Sequence, residues 1–327
     1  MATLILDRSN LTLATDGAAI AIYEPEGRRG SVPIKLIERV ILQGNIALDT
    51  GVLTRLAEAG IATLMLSRRQ SRRVATVLGP AHNDAAIRIA QCQHAMDDAW
   101  RVAWAQRLVT HKTRAQIRLL TQALAQRPDC RKPLFDATGR LENTLLALDE
   151  HFDLTTESLR GIEGAAASTY FQALTASFPQ SLNFTGRNRR PPRDPVNACL
   201  SLGYTLLHFD AVRAAHMAGL DPLIGFYHRP AYGRESLASD LIEPLRPRVD
   251  AWVWSLFRNR TLRAEHFGHD QAACLLGKAG REAFYQDYER MAQPLRRALR
   301  RQCAALARFL KQRGEPWCDT QGEEDDA

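Results

Sequence analysis

The spacing of apolar residues changes once along this 327-residue chain, at about residue 79, and one pattern cannot serve both parts. Before that point, short apolar runs alternate with turn residues: TLIL (3–6), LTLA (11–14), AAIAIY (18–23), ERVILQ (38–43), IATLML (61–66) and RVATVL (73–78). Runs of this length between turn signals read as strands. One helix interrupts them over TGVLTRLAEAG (50–60), where Val52, Leu53, Leu56 and Ala57 share a face, Thr50 caps the start and Gly60 ends it.

After the turn-and-cap cluster GPAHND (79–84), apolar residues recur at helical spacing. The pattern predicts a long helix from Asp84 to about Arg127, and others at about 141–149, 157–175, 195–218, 236–258, 271–278 and 281–312. The expected fold class is α+β, with a small N-terminal β-rich domain over residues 1–79 and a larger all-α domain over 80–313. The acidic stretch 314–327 is expected to be a disordered tail.

That tail matters for the charge. Its last 13 residues, EPWCDTQGEEDDA, hold six acids and no Lys or Arg, so the net +7 of the whole chain conceals a body of 43 basic against 30 acidic residues. Such a body attracts a polyanion. Of the basic residues 38 are Arg and five are Lys; the guanidinium fork matches phosphate oxygens, though codon bias would produce the same excess. The six cysteines (Cys92, Cys130, Cys199, Cys274, Cys303, Cys318) form no CxxC pair, which fits neither a disulfide framework nor a zinc site. No apolar run approaches the roughly 20 residues of a membrane span, and MATLILDRSN has no basic stretch before a long apolar core. The expectation is a cytoplasmic protein without a membrane partner.

Chemistry-bearing residues gather in GFYHRPAYGRESLASDLIEP (225–244). His228 follows GLDPLIGFY, whose two glycines and proline forbid a regular helix, so it is presented from a loop. Asp240 and Glu243 stand three apart and share a face if SLASDLIEPL is helical, with Ser236 as its N-cap. Glu163 lies in LRGIEGAAASTYFQAL beside the stripe Leu159, Ile162, Ala166, Tyr170 and Ala173. A carboxylate so placed is either paired with a base or bound to a metal. Taken singly, each residue has an ordinary structural explanation. The cations of the long helix (Arg88, Arg101, Arg107, Lys112, Arg114, Arg118) likewise read as a solvated face.

Two acids and a neutral imidazole suit Mg²⁺ or Mn²⁺ with positions left for water and substrate oxygens. There is no HExxH, GxxxxGK[ST], GxSxG or strand-borne GxGxxG, which argues against zinc protease, ATPase, esterase and dehydrogenase chemistry. Acids that bind metal within an Arg-rich body point to phosphodiester chemistry. The stretch FTGRNRRPPRDPVNACL (184–200) sets Arg187, Arg189, Arg190 and Arg193 on a proline-stiffened loop, which is either a phosphate clamp or a connector that happens to be basic. Arg234 and Arg246 flank the acids and would contact phosphate or neutralise Asp240 and Glu243.

Five stretches in order carry a family pattern: GPAHNDAAIRIAQ (79–91), GIEGAAASTYF (161–171), RNRRPPRDPVNACLSLGYTLL (187–207), GLDPLIGFYHRPAYGRESLASDLIEPLRPRVD (219–250) and CLLGKAGREAFYQDYE (274–289). Together they resemble CRISPR-associated endonuclease one, the spacer-acquisition integrase family, over nearly the whole chain. The resemblance implies an N-terminal β domain for dimerisation and partner contacts, a helical catalytic domain, a homodimer, and a small partner, CRISPR-associated protein two. It also implies double-stranded DNA substrates, the prespacer and the CRISPR repeat. It places the catalytic metal ligands on Glu163, His228 and Glu243, with Asp240 supporting, and sets the RRPP-loop arginines and Asn197 close to metal and DNA. Ala165, Ser168 and Leu245 depart from the family's usual Asn, Arg and Phe, which touches substrate and partner contacts rather than the ligands.

The implied reaction is metal-dependent transesterification, in which a 3′-OH attacks a repeat phosphodiester. Two other readings remain open at this level: a nuclease of branched or double-stranded DNA that cuts without joining, and a DNA-binding assembly subunit without activity.

Overall fold

The computed structural model describes residues 2–67, 73–80, 82, 84–150, 154–188 and 191–317. The N-terminal part contains β1 (Ala2–Leu6), β2 (Leu11–Asp16), β3 (Ala19–Glu24), β4 (Gly27–Pro33), β5 (Ile37–Gln43), β6 (Ile46–Leu48), α1 (Thr50–Glu58), β7 (Ala62–Leu66) and β8 (Arg73–Val77). Two sheets result, in the orders β1-β5-β7-β8 and β4-β3-β2-β6. In the first, β1, β5 and β7 run parallel, which requires crossovers: β2–β4 lie between β1 and β5, and α1 lies between β5 and β7. The helix starts at Asp49, whose carboxylate accepts the Val52 N–H at 2.9 Å, rather than at the expected Thr50 cap. β4 and β6 were not anticipated: β4 (GRRGSVP) carries few apolar residues, and β6 is three residues long.

Alternation along β5 gives the first sheet two buried faces. Val40 and Leu42 pack with Leu13, Ile20, Val52 and Leu56 between the two sheets. Ile41 faces the other way, joining Leu64, Leu66 and the apolar faces of the helices in one core.

The helical part consists of α2 (Ala85–Met96), α3 (Asp98–Gln126), α4 (Arg131–Glu150), α5 (Thr156–Ala176), α6 (Pro195–Met217), α7 (Ser236–Ile242), α8 (Arg246–Arg258) and α9 (Lys278–Gly314), with a hairpin of β9 (Phe267–Asp270) and β10 (Ala273–Leu276) before α9. The chain is therefore α+β, β-rich first and mostly helical after. Four expected helices differ. The one at 141–149 is the C-terminal half of α4, which begins at Arg131. The one from Asp84 to Arg127 breaks at Asp97, whose extended backbone and carboxylate, accepting Ala99 N at 2.9 Å and Trp100 N at 3.2 Å, start α3 afresh. The one at 236–258 is cut at Glu243–Leu245, a 3₁₀ turn imposed by Pro244 and Pro247. The one at 271–278 is the second strand of the hairpin: Gln271 adopts φ 54° and turns the chain, and Cys274 N donates to Pro192 O at 2.8 Å. The Cys318 region and the rest of the tail, 318–327, lie outside the described residues. The five cysteines within them are free thiols, and no described helix is long and apolar enough to cross a membrane.

Candidate metal centre

Three elements deliver the candidate ligands to one place. Glu163 comes from α5, Glu243 from the 3₁₀ turn after α7, and His228 from the loop that precedes α7. That loop is pinned on both sides. Gln91 of α2 donates to Asp221 O and Ile224 O at 2.9 and 2.7 Å and accepts from Asp221 N at 2.9 Å. Gly225 passes so near the start of α7 that an added Cβ would stand 2.7 Å from the Ser236 carbonyl carbon, so only glycine fits. Ser236 does not cap the helix; its hydroxyl donates to Arg229 O at 3.1 Å.

Asp240 orients the loop end. Fully buried, it accepts Phe226 N at 2.8 Å and Tyr227 N at 3.0 Å on Oδ2, and His228 N at 2.9 Å on Oδ1. The same Oδ1 is 2.7 Å from His228 Nδ1. A carboxylate accepts there, so Nδ1 carries a proton, and Nε2 is turned toward Glu243, 4.0 Å from its Oε1.

The two glutamates share one cation. Lys112 Nζ donates to Glu163 Oε1 and to Glu243 Oε2, the latter at 2.5 Å. Glu163 Oε2 accepts Tyr227 Oη–H at 2.6 Å, and Glu243 Oε1 accepts Arg246 Nε at 2.8 Å. Burial pushes the Glu243 carboxyl up, but Arg246 and Lys112 beside it hold it down at about 2. Burial likewise opposes the Lys112 charge, and Glu243 and Glu163 more than offset it, leaving its pKa raised. Burial and the neighbouring Glu163 push the Tyr227 phenol well above its usual range.

Lys112 is thus not on a solvated face. On α3, Ala105, Val109, Gln116, Leu119 and Ala123 form a buried series at alternating steps of four and three, and Lys112 occupies the missing place in it. Glu163 fills the equivalent gap on α5, between Leu159 and Ala166. That interruption of two facing stripes by opposite charges was available in the sequence and went unread for Lys112.

The donor set fits a hard divalent cation: two carboxylates and an oriented imidazole around a point already held by a positive charge. As placed, with the ammonium between the acids, no three His, Cys, Asp or Glu side chains among the described residues stand close enough to chelate an ion.

The basic groups divide. Arg246 lies 4.6 Å above the Tyr204 ring and Arg187 lies 5.4 Å from the same ring, which connects the RRPP loop to Glu243 through stacked side chains. Arg187 also donates to Asn197 Oδ1 at 2.7 Å and Ser201 Oγ at 3.1 Å. Asn197 is fully buried and binds Gly186 O, Asp194 and Asn188 N, so it shapes the loop instead of facing a ligand. Arg193 and Arg234 are exposed, Arg234 in the tight turn closed by its N–H on Ala231 O at 3.0 Å. Arg189 and Arg190 lie outside the described residues. Beneath Arg246, the buried Asp250 accepts the hydroxyls of Tyr204 and, at 2.7 Å, Tyr170; burial raises its carboxyl to about 6 against the pull of those two hydrogen bonds.

The family model described as "CRISPR associated protein Cas1" matches residues 4–290. A CRISPR-associated endonuclease Cas1 of Thermodesulfovibrio yellowstonii is 38% identical over 319 residues, covering 95% of this chain and 97% of that protein. Among solved structures, a casposase bound to integration product superposes with a TM-score of 0.82 at 22% identity, covering 96% of this chain and 91% of that one. A Cas6-RT-Cas1–Cas2 complex gives 0.80 at 24% identity, covering 95% of this chain and 35% of that one. On the extent of these matches, the chain belongs to the CRISPR associated protein Cas1 family.

Proposed function

We propose that the chain is a metal-dependent DNA endonuclease and integrase that joins the 3′-OH of a short DNA to a phosphodiester of a repeat array. The observation that carries this reading is the convergence of Glu163 and Glu243 on one cationic point, with His228 Nε2 4.0 Å from the other oxygen of Glu243, within a strongly basic body. When bound, Mg²⁺ or Mn²⁺ supplies charge stabilisation on the phosphodiester and lowers the pKa of the attacking hydroxyl. Glu163, His228 and Glu243 are the residues that would hold it.

The surrounding residues have definable tasks. Asp240 fixes the imidazole tautomer, Tyr227 fixes one oxygen of Glu163, and Arg246 keeps Glu243 ionised. Arg187, Arg193, Arg234 and Arg246, with Arg189 and Arg190, supply phosphate contacts along the backbone. In joining, one P–O bond forms as another breaks, and the proton lost by the attacking hydroxyl is matched by the one the released 3′-oxygen takes up. The number of phosphodiesters is unchanged, so the absence of a nucleotide-binding loop from the sequence is consistent with the reaction. Family membership supports a homodimer that works with Cas2 on prespacer and repeat duplexes, with the β-rich residues 1–79 making subunit contacts.

The test is a strand-transfer assay with the purified chain, Cas2, a labelled duplex bearing free 3′-OH ends and a supercoiled plasmid carrying the repeat array. Label should join the plasmid only with Mg²⁺ or Mn²⁺, cease with a chelator, and fall at least about 100-fold in Glu243→Ala. Metal-dependent nicking without joining would reduce the protein to a nuclease. Undiminished joining by Glu243→Ala would refute the site.

A further inference from the structure

We infer that Lys112 is the resident cation of this centre: it holds Glu163 and Glu243 together before a divalent ion binds, and must leave the point between them for the ion to enter. The inference rests on the metal-site reading above and adds a residue that the candidate ligand set did not include.

The geometry is specific. One ammonium reaches both acids, Glu163 through Oε1 and Glu243 through Oε2, and each acid's other oxygen is already engaged, by Tyr227 and by Arg246. The oxygens turned inward, the ones an ion would need, are those that Lys112 occupies. His228 Nε2 lies 4.0 Å from Oε1 of Glu243, the oxygen that Arg246 holds. Two positive charges cannot share one position a few ångströms across, so ammonium and divalent ion exclude each other.

The residue type also matters. Lysine presents a point charge on a flexible four-carbon stem, whereas arginine presents a rigid fork. The chain uses arginine at 38 of its 43 basic positions, and a lysine stands here, with the side chain largely buried but not sealed. A group that must hold two acids and then withdraw is better served by that stem. Without it, the two inward oxygens would face each other inside the protein with no cation between them.

The inference predicts opposite changes in two measured quantities. Without added metal, Lys112→Met should melt below wild type. In Mn²⁺ titrations followed by calorimetry and by the Mn²⁺ paramagnetic resonance signal, the same variant should bind about tenfold or more tightly, with a correspondingly larger thermal stabilisation by Mn²⁺. Arg246→Met removes the same formal charge from beside Glu243 but from outside the shared point, and should tighten binding far less. Lys112→Gln, which keeps length and polarity, gives the same reading if the methionine variant fails to fold. Equal or weaker Mn²⁺ binding by the Lys112 variants overturns the inference, as does an equal gain in Arg246→Met. Absence of Mn²⁺ binding in wild type and variants alike overturns the metal centre itself, and this inference with it.

Discussion

Two buried ionic clusters of similar composition serve different ends in this molecule. Where the first sheet meets the helices, Arg39 of β5 donates to Asp210 of α6, to Glu289 of α9 at 2.7 Å and to Thr3 at 2.8 Å; Arg296 meets the same two acids at 3.3 and 2.8 Å. At the candidate metal centre, Lys112 and Arg246 meet Glu163 and Glu243. Each centres on two acids shared by two bases, and in the first Arg296 also meets Glu38 at 3.5 Å. In the first, both bases are arginines, Arg39 has no exposed surface, and Tyr288 adds a further hydrogen bond to Asp210 at 3.2 Å. In the second, the shared base is a lysine and the side chains of Glu163 and His228 each keep 18% of their surface. Closed, forked pairing makes a latch between β-rich and helical parts; an open pairing around a single ammonium makes a site whose cation can be exchanged.

Breaking the latch should have the largest effect. Arg39→Met leaves the buried Asp210 and the half-buried Glu289 with fewer partners, and should cost about 3–5 kcal/mol in denaturant unfolding with no recovery on adding Mn²⁺. Recovery by metal would erase the distinction between the clusters.

Titration should sharpen it. The Glu243 carboxyl sits at about 2 in the folded protein against an unperturbed 4.5. A depressed acid contributes stability that is complete above the unfolded value and is lost as pH falls through 4.5 toward 2. By linkage that contribution is about 3 kcal/mol, and Glu243→Gln should remove this part of the acid limb in unfolding curves taken between pH 5 and 2. An unchanged acid limb would mean that Glu243 is not held by Arg246 and Lys112 as described.

The smallest effect concerns orientation. Asp240→Asn keeps the shape but cannot accept on both oxygens, so it loses control of the His228 tautomer. Mn²⁺ affinity or cleavage rate should drop about 10- to 100-fold. No change would show that the imidazole needs no holder.

How much of this could be read from the sequence follows from where the signals are local. The switch from strand to helix near residue 79, and the convergence of His228, Asp240 and Glu243, rest on short-range patterns and were legible. So was the unusual position of Glu163 beside an apolar stripe. The breaks at Asp97 and at Glu243–Leu245 were also written locally, in a capping aspartate and in two prolines, but the longer periodicity overrode them. The 267–276 hairpin depended on Gln271 taking a positive φ and on a partner at Pro192, information from distant chain. Lys112 was hidden by composition: among so many cations a helical lysine reads as surface until its place in a buried series is counted. The Arg39 latch, whose partners are 171 and 250 residues away, was beyond any local reading.

The most direct measurement is an anomalous difference map from crystals soaked in Mn²⁺. A peak between Glu163, His228 Nε2 and Glu243, with the Lys112 ammonium no longer bridging the two acids, is the predicted result. A peak elsewhere, or Lys112 still between the glutamates beside a bound ion, would contradict the account.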